Sequence, residues 1–457
     1  MAGKALVIAY YFPPIACSGT IRTLKFVKYL ERHGWSSVVV SVDPHYEHVE
    51  SRDAALLAEL PDSAAVLRSY AWHPANLIRR GKAAPSAAGA QNGAASGRAS
   101  ASPSFLNKLR RAATSRILRL FQFPDPMVGW FPFAVITAVR AARKHQVDLI
   151  YTTSPPNTTS LVGVAVKLFT GLPLVTDFRD PWMDNTYQPR AGSLRTKTAR
   201  RLEQWVFRLS DRIINISPDL DLKAKERAAP GLHPKFRVIS NGYDPEDFAG
   251  FDRHKEPLHA DSSFKITYSG CFYPGTRDPI AFLKGLALVA AQQPEAFSRM
   301  RVSFIGESSW PDENADALRQ FNMGNHVEFL PFLPHQTVLA RLRDSDLLLM
   351  IGSINRKDTG SLPGKMFEYL ALGRPILALV HDGASADFIR AGGIGLVVSP
   401  EDPEEIAAGL LLAQRDIAEG KYRTDRHLEF LQRFDRRMLT ARLAQTFDEL
   451  VPVSGHR

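Results

Sequence analysis

The sequence predicts an α/β protein built of two doubly wound domains that face each other across a central cleft. Strand-like apolar runs alternate with helix-like segments along almost the whole chain, the mark of βαβ units and parallel sheets. The series of strands restarts after Gly242–Ser263, a stretch rich in Asp, Pro, Gly and His that reads as a linker. At 457 residues the chain exceeds one ordinary domain, for which about 100–200 residues is typical.

The first series of strands is read at Ala5–Tyr10, Ser37–Val42, Ala65–Ser69, Leu149–Thr152, Leu174–Thr176, Arg212–Ile216 and Arg237–Ile239. The second is read at Lys265–Tyr268, Val302–Ile305, Val327–Phe329, Leu347–Met350, Ile376–Val380 and Gly395–Val398. These runs are short and mostly continuous in apolar residues, as strands covered on both faces by crossover helices are. The expected division is 1–245 for the first domain, 246–430 for the second, and 431–457 for a final helix and tail. Arg423–Leu450 reads as helix, with Phe434, Leu439, Leu443 and Phe447 as its spaced apolar anchors.

Composition narrows the class. A hydrophobic content of 45% with 23% charged residues allows a large core and excludes a disordered chain. Two cysteines, Cys17 and Cys271, lie far apart with no His or Cys at zinc spacing, so neither a disulfide framework nor a structural metal site is expected, and a reducing, cytoplasmic setting is. Ala5–Tyr11 meets Pro13 and Pro14 without a cleavage signature and reads as a buried strand, not a secretory leader. Leu161–Val175 is interrupted by Lys167, Gly171 and Pro173 and is not a membrane span. A net charge of +10 favours anionic partners: phosphates, nucleic acid or an acidic membrane face. No aromatic-interleaved basic patch is present, which argues against nucleic acid.

Residues 83–104 are almost entirely Ala, Ser, Gly and Pro and are expected to form a disordered loop. Residues 105–121 follow with Leu106, Leu109, Ala113, Ile117 and Leu120 at helical spacing and five basic side chains between them. Such a helix either rests on an anionic membrane surface or presents a solvated basic face.

Residues 352–380 hold the sharpest functional signal. Pro363 suits the first turn of a helix and Gly373 the left-handed residue just beyond its end. Lys365 and Glu368 stack three residues apart within an apolar surround of Met366, Phe367, Tyr369 and Leu370. Charges on a buried helix need a partner or a ligand. Two strand-to-helix turns point the same way. Tyr10–Arg22 is a strand, a Pro-Pro turn and a small-residue loop with Gly19, opening a helix from about Thr20. The second domain begins alike, with Gly270 and Gly275 in the turn and Arg277 before the helix from Pro279. Backbone N–H groups and cations at the carboxyl edge of a parallel sheet form a site for a diphosphate.

The order YFPP, Gly19 and Arg22 in the first turn, then TSPPN, DFRDPW and SNGYDPEDF, then YSG with Arg277, and finally PGKMFEYLALGRPIL resembles family-4 glycosyltransferases of the GT-B fold. The resemblance covers most of the chain outside 83–104. It implies two Rossmann-like domains, with a C-terminal helix returning to the first. It also implies a nucleoside-diphosphate sugar held by the second domain, an acceptor held by the first, and retention of the anomeric configuration without metal or cofactor. Glu368 matches the second glutamate of the family's paired motif, expected at the ribose. Lys365 and Arg277 match positions at the diphosphate, and Gly19 matches the glycine that approaches the phosphates. The first glutamate is replaced by Gly360, so its contact to a sugar hydroxyl is not carried over, although N–H groups around Ser361, Leu362 and Gly364 remain for sugar or phosphate. Ser154 stands where many relatives have a histidine, so no catalytic histidine is assigned. Arg22, Asp177, Arg179 and Asp180 become candidates for acceptor contact, against an ion-paired turn as the alternative.

The function implied is transfer of a sugar from a nucleoside-diphosphate sugar to a glycan or polyprenyl-diphosphate-linked acceptor of bacterial surface-polysaccharide assembly, at the inner face of the cell membrane. The rivals are a sugar-nucleotide epimerase or hydrolase on the same scaffold, and a non-catalytic protein that binds anionic ligands. Asp344-Ser345-Asp346 has the DxD form of metal-dependent transferases and is expected instead to cap the strand that follows.

Overall fold

A computed structural model describes residues 3–46, 51–72, 123–183, 193–251, 263–306, 323–356, 358–393, 395–422 and 428–451, together with the single positions 310, 314, 318, 319 and 321. The expected loop 83–104 and the basic helix 105–121 lie outside them.

Among the described residues thirteen strands form two parallel sheets. The first sheet contains β1 (Gly3–Ile8), β2 (Trp35–Val42), β3 (Ala65–Ser69), β4 (Leu149–Ser154), β5 (Leu174–Phe178), β6 (Arg212–Asn215) and β7 (Phe236–Val238), in the order β3-β2-β1-β4-β5-β6-β7. The second contains β8 (Phe264–Ser269), β9 (Met300–Ile305), β10 (Val327–Leu330), β11 (Leu347–Ile351), β12 (Ile376–Leu379) and β13 (Gly395–Val398), in the order β10-β9-β8-β11-β12-β13. In both, the order reverses beside the first strand, which creates the crevice at the carboxyl ends where doubly wound sheets bind ligands.

Alternation along each strand supplies two cores per domain. In the first sheet Leu6, Ile8, Val38 and Ile150 pack beneath α2 (Phe131–His145) and α3 (Asn157–Thr170), with Ala134, Ala138, Val162 and Val166 facing them. On the opposite face Val7, Val39, Tyr151 and Val175 meet Phe26 and Leu30 of α1 (Ser18–Leu30) and Leu439, Leu443 and Phe447 of the last helix. The second sheet is closed on one side by α6 (Ile280–Gln292) and α11 (Pro403–Ala418) through Phe282, Leu286, Ile406 and Leu410. On its other side α8 (His335–Arg343) and α9 (Gly364–Leu372) bury Leu339, Leu342, Met366, Phe367 and Leu370. Among the described residues no helix is long and apolar enough to cross a membrane.

Three sequence expectations shift. The first helix begins at Ser18 and not at Thr20. Arg423–Leu450 is not one helix: α12 (Leu428–Gln432) is separated from α13 (Arg436–Asp448) where Asp435 caps the latter by accepting from the Arg437 N–H at 2.8 Å. The break is the crossing point. Phe430, Leu431 and Phe434 belong to the second domain's core, whereas α13 packs on the first sheet. The outgoing chain meets the returning one there, with Tyr243 N–H donating to Phe434 O at 3.0 Å and Arg436 N–H to Tyr243 O at 2.9 Å. Third, the linker is not wholly irregular: Pro245–Phe248 is a short 3-10 turn whose Phe248 is buried in the second domain.

Candidate active site

Helix α9 starts without a side-chain cap, because Pro363 at its N-cap has neither an N–H nor a polar group. A side chain at Gly364 would meet nothing within 4 Å, so this first turn opens on free space. At the other end Gly373 takes φ 65°, the left-handed stop read from the sequence. The helix is held by Tyr369, whose hydroxyl accepts from Ser269 N–H at 3.0 Å. That bond sets Lys365 above the end of β8, where its Nζ donates to Ser269 O at 2.9 Å and lies 3.9 Å from the centre of the Tyr268 ring. Gly270 follows at φ 132°, a conformation closed to other residues, and a Cβ there would stand 3.0 Å from Lys365 Nζ.

Among the described residues no carboxylate pairs with Lys365. Burial, and then the nearby Arg277 guanidinium, hold its pKa well below the usual lysine range. Arg277 lies over the Tyr273 ring at 4.8 Å in the turn after β8. An amine held below its usual range in a partly dry crevice regains its charge when an anion binds beside it. Glu368 lies one turn further along α9 and faces another way. Its Oε1 is 3.0 Å from His335 Nε2 at the start of α8. The pair is mutually stabilised: the imidazole is pushed up to about 8 chiefly by Glu368 against the effect of burial, and the carboxyl is held down by His335. His335 carries no motif and escaped the sequence reading. Only its position, heading the helix after β10, relates it to the site.

The first domain contributes from its own carboxyl edge. Arg179 donates to Ser154 O at 3.2 Å and to Pro155 O, and its Nη1 stands 2.1 Å from where a Gly19 Cβ would be. Gly19 is therefore small because Arg179 lies on it. Asp180 lies within electrostatic reach of Arg179 and of Arg277 across the cleft, while burial raises its pKa. Arg22 and Asp177, expected at an acceptor, are instead a closed internal pair. Arg22 Nε and Nη2 donate to the two Asp177 oxygens at 2.8 and 2.9 Å, and the rest of the fork goes to Ile239 O, Ser240 O and Asn241 Oδ1. Tyr151 and Thr153 hydroxyls complete the carboxylate. With Arg22 1% and Asp177 0% exposed, neither can touch a substrate.

The turn before α9 is gripped from the first domain. Ser217 Oγ donates to Gly360 O at 2.8 Å, Lys223 Nζ to Thr359 Oγ1 at 2.9 Å, and Asn241 Nδ2 to Leu362 O at 3.2 Å. From the second domain, Ser385 Oγ donates to Ser361 O at 2.6 Å. A Cβ at Gly360 would come within 2.8 Å of Leu220, which heads α5 (Pro218–Arg227). The first domain thus fills the space in which a glutamate at 360 would stand.

Two acidic groups are otherwise engaged. Asp346 accepts from Lys265 N–H at 2.7 Å and Ser345 donates to Thr267 Oγ1 at 2.6 Å, so the DxD segment ties the amino ends of β8 and β11 together, opposite the crevice. Glu59, Asp244 and Asp247 converge at the hinge, and Lys25 Nζ pairs with all three in the place a cation would take.

Comparison with known proteins follows the same two halves. The family model described as Glycosyltransferase Family 4 matches residues 96–247, and that described as Glycosyl transferases group 1 matches 263–416, together about two thirds of the chain. A curated Salmonella typhimurium relative, described as colanic acid biosynthesis glycosyltransferase WcaL, is 28% identical over 131 residues, covering 28% of this chain and 32% of the relative. The match thus spans about a third of that relative's length. Among solved structures, Anabaena HepE in complex with UDP and glucose superposes with TM-score 0.62 at 16% identity, covering 98% of this chain and 100% of the other. A sucrose-phosphate synthase from Thermosynechococcus elongatus does so with TM-score 0.62 at 15% identity, over 99% and 100%. At these identities the solved structures speak for the architecture alone. With one family model on each domain of that architecture, the chain belongs to the family-4 glycosyltransferases of the GT-B fold.

Proposed function

We propose that the protein transfers a sugar from a nucleoside-diphosphate sugar to a glycan or lipid-linked acceptor, with retention, in bacterial surface-polysaccharide assembly. The observation that carries this is the meeting of Lys365 and Arg277 at the end of β8, without a carboxylate on Lys365, beside the open first turn of α9. The polysaccharide assignment draws on the likeness to WcaL. A membrane-held acceptor such as a polyprenyl diphosphate glycan suits the positive charge of the chain.

In this reaction the bond from the anomeric carbon to the β-phosphate oxygen breaks, the bond to the acceptor oxygen forms, and the acceptor's proton passes to the departing phosphate. Negative charge grows on the diphosphate as the sugar becomes oxocarbenium-like. Lys365 and Arg277, fixed before the reaction, stabilise that charge more in the transition state than in the ground state. Glu368, oriented by His335, accepts from the ribose hydroxyls. A thermal-shift screen against UDP, GDP, ADP and dTDP sugars tests the reading. One base at 100 times its dissociation constant stabilises by about 2.7 kcal/mol, and no response to any of them refutes it. Incubation with the donor alone separates transfer from epimerisation, which changes the sugar without an acceptor. Transfer that persists in a chelator is expected. Its loss, reversed by Mn²⁺ or Mg²⁺, overturns the metal-independent part.

A further inference from the structure

The loop before α9 presents a carboxylate to which the diphosphate gives no task. Asp358 lines a pocket at the carboxyl ends of β11 and β12 together with Arg277, Ser353, Ser361, His381 and Ser385. The loop that carries it is fixed on both flanks. Asp358 N–H donates to Asn355 O at 2.9 Å, Ala384 N–H to Thr359 O at 2.6 Å, and Lys223 of the first domain reaches Thr359. Burial raises the Asp358 carboxyl, Asp180 of the opposite domain raises it further, and Lys223 and Arg277 pull it down. One carboxylate from each domain therefore lies within electrostatic reach of Arg277.

Ionised carboxylates only accept hydrogen bonds, and they repel phosphate. Beside a pair of cations suited to a diphosphate, they fit a neighbouring group that is neutral and rich in O–H donors. A sugar joined directly to the β-phosphate is such a group, and it must lie within a residue's length of Arg277. Position 360 cannot supply the contact because Leu220 occupies its side-chain space. Asp358 lies two residues earlier on the same loop and lines the pocket.

We propose that Asp358 reads the hydroxyls of the donor sugar and selects among epimeric sugars. This rests on the reading of the cleft as a nucleoside-diphosphate-sugar site. The test is calorimetric titration of the full chain and of Asp358→Asn and Asp358→Ala, with UDP, GDP, ADP and dTDP, then with gluco and galacto sugars of the base that binds. The variants are expected to bind the free diphosphate as tightly as wild type or tighter, since a negative charge is gone. They should bind the sugar nucleotide roughly 10–100-fold more weakly and lose epimer preference. Unchanged sugar-nucleotide affinity and preference overturn the inference, and so does an equal loss for diphosphate and sugar nucleotide. Diphosphate binding that requires Mg²⁺ in wild type and not in the variants assigns the carboxylate to a cation and also overturns it. If wild type binds no nucleoside diphosphate, the cleft reading fails and the inference with it. The unfolding temperature of the isosteric Asp358→Asn variant shows that it is folded.

Discussion

Substituting Asp177 separates a structural from a catalytic reading of the DFRDP turn. In Asp177→Asn the volume is kept, but the Arg22 guanidinium loses the charge that meets it at 2.8 and 2.9 Å while remaining sealed from water. All five guanidinium donors are used in the intact protein, two of them on this carboxylate. Removing one partner of a buried ion pair costs about 3–5 kcal/mol. In a domain of this size each kcal/mol lowers the melting temperature by about 2–4 °C, so a fall of roughly 6–20 °C is expected in scanning calorimetry. Because the damage is a stranded charge, adding Arg22→Met to Asp177→Asn should recover part of the loss, giving a double variant less destabilised than the sum. An Asp177→Asn protein that melts with wild type but no longer transfers sugar would show that the carboxylate serves the acceptor, and the structural argument would be wrong.

Lys365→Ala should lower the transfer rate by about 10²–10³-fold with the melting temperature unchanged or raised, since it relieves repulsion with Arg277; near-normal turnover removes the amine from the mechanism. The same depressed lysine predicts that diphosphate binding at alkaline pH takes up a proton, seen as a binding enthalpy that varies with the buffer's ionisation enthalpy. Equal enthalpies in all buffers at every pH would contradict it. For His335, the folded pKa of about 8 exceeds the unfolded 6.5. Its contribution is therefore full below pH 6.5 and is lost as pH rises through 8, about 2 kcal/mol in all; urea unfolding should show this slope, and His335→Gln should flatten it. Restoring the family's glutamate by Gly360→Glu should destabilise the protein and weaken donor binding, because Leu220 stands in the way; a gain in donor affinity would refute that account.

The central strands, such as β4, β5, β11 and β12, could be placed from the sequence because each is buried on both faces, which writes itself as a nearly unbroken apolar run. The half-buried edge strands β3, β7, β10 and β13 were placed by their spacing between helical segments. The stop at Gly373 and the company of Lys365 with Arg277 were legible too, since turn chemistry and charge are local signals. What stayed hidden depends on who lies opposite. Asp177 and Asp180 are three residues apart in one motif, yet one ends in a sealed pair and the other faces the cleft, and only the position of Arg22 on another element decides between them. Glycine at 360 looked like a missing function; it is a contact surface for Leu220, 140 residues earlier. His335 has no pattern around it and gains meaning only from Glu368. The break between α12 and α13 was invisible to periodicity because the apolar spacing continues while the domain it serves changes.

That change of domain bears on how the protein is made. The face of the first sheet that carries Val7, Val39 and Tyr151 is closed by Leu439, Leu443 and Phe447, and Trp35 Nε1 bonds to Asp448. A ribosome finishes β7 some 200 residues before it reaches those positions, which at about 5–20 residues per second is roughly 10–40 s. For that interval the nascent first domain holds an uncovered apolar face. The second domain, by contrast, can complete its own core before the last helix arrives. The order of synthesis and the order of completion are reversed, and α13 is the seal on a sheet made long before it.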